Sequence, residues 1–130
     1  MYGLFCSLLK ADIVIVKERK RSMPVYNKLV RDRIPEIIKN SGKIYRTRVL
    51  MEEEYISELR KKAQEELNEY ITSQTSEEAI EELADLLEVV HALATAHGSS
   101  IEDLEEVRKR KAEKRGGFQE KIFLIDVEDE

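Results

Sequence analysis

The chain has 130 residues, with 22 Lys/Arg against 27 Asp/Glu, a formal net charge of −5, and 42% apolar and 38% charged residues. One domain accounts for that length, and an acidic body lacks the broad basic face that a nucleic-acid polymer needs. Five Gly, two Pro and no Trp in a Glu- and Lys-rich chain favour long, surface-charged helices; the sole cysteine, Cys6, excludes an intrachain disulfide and suits a reducing cytoplasm.

Residues 1–22 stand apart. They hold five basic and two acidic side chains, so the remainder carries 17 basic against 25 acidic ones. Their apolar stretches, Leu4–Leu9 and Ile13–Val16, are interrupted by Lys10 and Asp12 and fall short of the roughly 20 residues of a membrane span. Neither a signal peptide nor a transmembrane helix is read there. A charged break, Lys17 to Arg21, precedes Met23-Pro24, which looks like a natural start. The expected organisation is an extension over 1–22, one domain over 23–127 and an acidic tail over 128–130.

Asp32 to Lys39 predicts a short helix, with Asp32 as N-cap, Pro35 in the first turn and Gly42 after the end. Residues 43–50 alternate Ile44, Arg46, Arg48 and Leu50 against Tyr45, Thr47 and Val49, a strand pattern. Glu52 to about Ser73 is the first long helix, with Tyr55, Ile56, Leu59, Ala63, Leu67, Tyr70 and Ile71 at helical spacing. A polar turn over 72–76 follows, in which Thr75 and Glu78 have capping-box spacing. The second long helix runs to about His97, on Ile80, Leu83, Leu86, Leu87, Val90, Leu93 and Ala94, and Gly98 ends it. Ser99 or Ser100 caps a third helix striped by Ile101, Leu104 and Val107, which breaks at Arg115-Gly116-Gly117-Phe118. Residues 121–127 (KIFLIDV) predict a second strand. The expected fold class is all-α: an antiparallel helical bundle completed by oligomerisation, with a short β pair between 43–50 and 121–127. The two long helices form an αα-hairpin, which cannot enclose a core alone.

The hairpin carries a repeated acidic pattern. Glu65-Glu66-Leu67-Asn68-Glu69 lies on its first helix and Glu81-Glu82-Leu83-Ala84-Asp85 on its second. At about 100° per residue, Glu66 falls inside its helix's apolar arc, between Tyr55, Leu59 and Tyr70. Glu82 falls in the same place among Val89, Leu93 and Leu86. Glu69 and Asp85 sit one turn along, at the border of each arc. Glu-rich helices commonly show such spacing to solvent, so spacing alone decides nothing. A carboxylate within an apolar arc is costly unless paired or coordinated, and two on packed helices point to a shared cation. An all-oxygen site suits Mg²⁺, with Mn²⁺ as a substitute, and not Zn²⁺.

These acids, with two further segments, resemble the MazG-like all-α NTP pyrophosphohydrolase superfamily, which includes phosphoribosyl-ATP pyrophosphohydrolases. The segment from Tyr26 to Pro35 (YNKLVRDRIP) looks like the N-terminal signature of a small house-cleaning subgroup. Lys111 with Arg115-Gly116-Gly117-Phe118 looks like its C-terminal one. The resemblance spans about Met23 to Leu124. It implies Mg²⁺-dependent hydrolysis of nucleoside triphosphates, normal or non-standard, to monophosphate and pyrophosphate, by a homodimer or homotetramer. By position, Glu66, Glu69, Glu82 and Asp85 would ligate metal, and Glu65 and Glu66 would serve catalysis, Glu65 by ligating, orienting or deprotonating water. Lys28, Arg31, Lys111 and Arg115 would meet substrate phosphates. Lys62, on the acidic edge of its helix, would touch phosphate or pair with Glu66. Two alternatives stand beside this reading: phosphoribosyl-ATP hydrolysis, which both signatures disfavour, and a non-catalytic helical oligomerisation module. His91 reads as a core or interface histidine, and Tyr45, Tyr55 and Tyr70 as packing residues before base-stacking ones.

Overall fold

In the computed structural model, which describes residues 23–129, four helices make up the regular structure: α1 (Ile34–Asn40), α2 (Glu52–Ile71), α3 (Ser76–Ala96) and α4 (Ile101–Arg115). The fold is all-α, as expected. Residues 1–22, and with them Cys6 and the extension assigned there, lie outside the described residues. No helix among the described residues is long and apolar enough to cross a membrane.

Local chemistry explains the helix ends. Pro35 opens α1, where its missing N–H costs nothing. The expected Asp32 cap does not form: Arg33 holds the N-cap position and no side chain bonds there. Proline's fixed φ starts the helix without one. At the other end Gly42 takes φ +81°, and the Gly42 and Lys43 N–H groups donate to the Lys39 and Ile38 carbonyls. Gly98 repeats this after α3 at φ +79°, with Gly98 and Ser99 donating to Thr95 and Ala94. Both are Schellman stops, which need a residue tolerant of the left-handed region. Three glutamates in the first turn of α2 complement its dipole. Thr75 caps α3 by accepting from the Glu78 N–H at 3.1 Å, while the Glu78 carboxylate reaches back to the Gln74 N–H at 2.9 Å. Ser100, and not Ser99, caps α4 by accepting from the Asp103 N–H at 3.0 Å.

The α2–α3 hairpin is the centre of the molecule, and α4 packs more lightly on α3. Its interior is unusual in composition. The buried apolar residues are Ile34, Leu59 and Val89, and they are matched by three buried charged ones, Lys62, Glu66 and Asp85. Leu67 and Leu83, expected within the apolar stripe, are 43% and 41% exposed. The inner stripe of α2 is instead Leu59, Lys62 and Glu66.

The expected β pair is absent: residues 43–50 and 121–127 form no strand among the described residues. Alternation makes a chain extended, but a strand also requires a neighbour to take its backbone hydrogen bonds. Neither segment finds the other within this chain.

Candidate metal centre

Helix geometry builds the centre. Glu66 and Glu69 lie three residues apart on one face of α2, and α3 returns antiparallel with Glu82 beside them. One carboxylate oxygen from each of Glu66, Glu69 and Glu82 lies within 4.8 Å of the others. Glu66 is 0% exposed, and Glu69 and Glu82 are half-buried. Three of the four acids expected to ligate a cation therefore converge across the hairpin.

Crowding shifts their acidities. Burial, and then the nearby Glu69, push the Glu66 carboxyl above the usual range. Burial, followed by hydrogen bonding with Glu69 and its charge, pushes Glu82 up to about 7. Burial opposes ionisation of Glu69 too, yet hydrogen bonds from Glu82 and Glu66 outweigh it and hold that carboxyl below the usual range. Closely spaced acids titrate against one another in this way, one held down at the expense of its neighbours.

The donor set fits a hard divalent cation. It is all oxygen, it is crowded, and Glu82 Oε2 is buried with no hydrogen-bond partner. A lone pair held out of water in that way has the character of an open ligand position.

Three of the remaining cations pair with acids in or next to the triad's segments. Arg31 donates to Asp85 at 2.7 Å, and Asp85 is itself only 8% exposed. Lys28 reaches Glu65 at 3.3 Å. Lys62 lies 3.9 Å from Glu66, with both side chains almost wholly enclosed. Its ammonium makes no hydrogen bond. The segment over 23–33 is thereby laid across the acidic end of the hairpin. Lys111 and Arg115 do not join the group: they lie exposed on α4 and make no hydrogen bond or ion pair among the described residues. A shallow depression at the α2–α3 turn, lined by Tyr70, Thr75 and Ala79, contains no carboxylate.

The long-range partnerships were beyond sequence reasoning. The wheel placed Glu66 inward but could not show that Arg31, 54 residues from Asp85, would reach it. Lys62 carried a clue in its i,i+4 spacing to Glu66, though not its depth of burial. Comparison with protein-family models, with curated proteins and with solved structures finds no match to the chain.

Proposed function

We propose that this chain is a Mg²⁺-dependent nucleoside triphosphate pyrophosphohydrolase. It would cleave the bond between the α- and β-phosphates with one water, releasing nucleoside monophosphate and pyrophosphate. The observation that carries this reading is the convergence of Glu66, Glu69 and Glu82 within 4.8 Å beside a buried, unbonded Glu82 oxygen. The YNKLVRDRIP and RGGF segments add to it, because their resemblance to a MazG-like subgroup extends to both ends of the domain.

In this reading Glu66, Glu69 and Glu82 hold the cation, and Asp85 stands next to them in reserve behind Arg31. A bound Mg²⁺ supplies Lewis-acid charge that lowers the pKa of the attacking water and neutralises phosphate oxygens. Glu65, half-buried and next to Glu66 in the chain, would orient or deprotonate that water. Lys28 and Arg31 are tied to acids here. An arriving triphosphate competes for them, and Arg31 offers the two-pronged geometry that a phosphate accepts best. Lys111 and Arg115 complete the cationic set if α4 or a second subunit brings them to the site. The substrate is a small nucleotide, normal or damaged, which would make the role one of pool control in a reducing cytoplasm.

The test is pyrophosphate release from a panel of normal and modified nucleoside triphosphates with Mg²⁺ or Mn²⁺. The parent chain should turn over at least one of them, and Glu66→Gln and Glu82→Gln should each lower the rate by about 10²-fold or more. No turnover of any nucleotide, combined with no cation binding by calorimetry, would overturn the proposal and favour the non-catalytic oligomerisation module.

A further inference from the structure

Two segments of the chain have everything a strand needs except a neighbour. Residues 43–50 run without a turn or bend between α1 and α2, and residues 121–129 do the same after α4. From Ile44 to Leu50 and from Ile122 to Val127, no backbone N–H or C=O bonds to another backbone group among the described residues. Their apolar side chains are equally unserved: Val49 is 96% exposed, Phe123 87% and Ile125 86%. Contiguous β-branched and aromatic residues with a free backbone edge are the features natural chains avoid displaying unless something covers them.

We infer that the two segments pair with each other between two copies of this chain, residues 43–50 of one copy forming a β ribbon with residues 121–127 of the other. Charge supports the match. Residues 43–50 carry Lys43, Arg46 and Arg48 with no acid, whereas 121–127 balance Lys121 with Asp126 and are followed directly by Glu128 and Asp129. Arg48 is occupied by Glu54 at 2.6 Å, which leaves Lys43 and Arg46 for the acidic segment. Self-pairing of two 43–50 segments would crowd their basic side chains into one ribbon, which is unfavourable. Each copy has one segment of either kind, so a two-fold arrangement forms both ribbons at once and leaves neither unmatched.

The α2–α3 hairpin offers the ribbon a floor. Glu66 and Glu82 approach each other from antiparallel helices, so a further 100° or so of rotation puts Leu67 and Leu83 on one and the same side of the hairpin. Ile71, Ile80 and Leu87 follow them there, and the five are 41–66% exposed. A two-stranded ribbon is marginal alone and gains stability by packing on such a face. This inference stands apart from the catalytic reading, since it asks no chemistry of the carboxylates proposed to hold the cation.

Thiol cross-linking tests it in full-length chains carrying Cys6→Ser. One preparation bears Thr47→Cys, a second bears Ile125→Cys, and the two are mixed with a short bismaleimide. The expected product is a covalent dimer containing one chain of each kind. A link formed only inside single chains of the Thr47→Cys/Ile125→Cys double variant would overturn the inference, because the pairing would then be internal. A second measurement uses sedimentation equilibrium on Phe123→Asp/Ile125→Asp, with circular dichroism to show that the helices persist. Self-association should weaken at least about tenfold. An unchanged association constant, or a parent chain that stays monomeric at high micromolar concentration, would equally overturn it. Pyrophosphate release by the parent chain is scored separately, so failure of either idea leaves the other standing.

Discussion

Glu82 is the residue whose environment departs furthest from solution behaviour. Its carboxyl rises from 4.5 to about 7, through burial first and the nearby Glu69 second. Between those two pH values the folded protein holds a proton that the unfolded chain releases. Stability must therefore fall as pH rises through the window, the opposite of a salt-bridged carboxylate. Chemical denaturation of the cation-free protein between pH 4.5 and pH 8 should show this decline. Glu82→Gln should flatten it and make the variant the more stable protein at pH 8; a parent whose stability climbs steadily across the range would contradict the account. The inward position of Glu66 was legible in the sequence, because helical periodicity alone sets it among Leu59 and Tyr70. The partners of the acids were not. Arg31 meets Asp85 across 54 residues, and no local pattern encodes that approach.

Among the elements, the hairpin is self-explanatory and the segment preceding it is not. Thr75, Gly98 and Ser100 set helix ends where their cap chemistry predicts. Asp32 failed as a cap because Pro35 already starts α1. The segment over 23–33 has no regular structure of its own beyond a turn leading into α1, and it is fastened to the hairpin by two ion pairs of unequal worth. The Lys28–Glu65 pair is open to water and contributes little. The Arg31–Asp85 pair has its acid end enclosed, so its charged hydrogen bond is worth on the order of 1–2 kcal/mol. Arg31→Ala should accordingly speed proteolytic cleavage within 23–33 and lower stability by that amount, while Lys28→Ala changes either quantity much less. Equal cleavage rates in both variants would show that neither pair fastens the segment. The extended character of 43–50 and 121–127 was visible in their alternation, but a strand is a relationship between two segments. Propensity specifies only one side of it.

For the molecule as a whole, sequence and structure agree on an all-α chain whose two long helices are too few to close a core. Among the described residues only Ile34, Leu59 and Val89 are buried apolar ones, while Phe118, Ile122 and Leu124 remain at least 75% exposed. In the proposed reading, the enclosed Lys62 ammonium beside Glu66 is a tethered understudy for a mobile ion. On that reading it would partly offset the acid's charge before a metal binds, so the chain would reach its fold first and recruit the ion afterwards. Zinc-finger domains work in the opposite order, collapsing when their metal is withdrawn. Here a chelator should abolish nucleotide turnover and yet leave a cooperative helical melt in circular dichroism. The understudy would also set the terms of loading: an incoming dication would have to displace a resident single charge that cannot diffuse away, and the exchange would then favour ions carrying more than one.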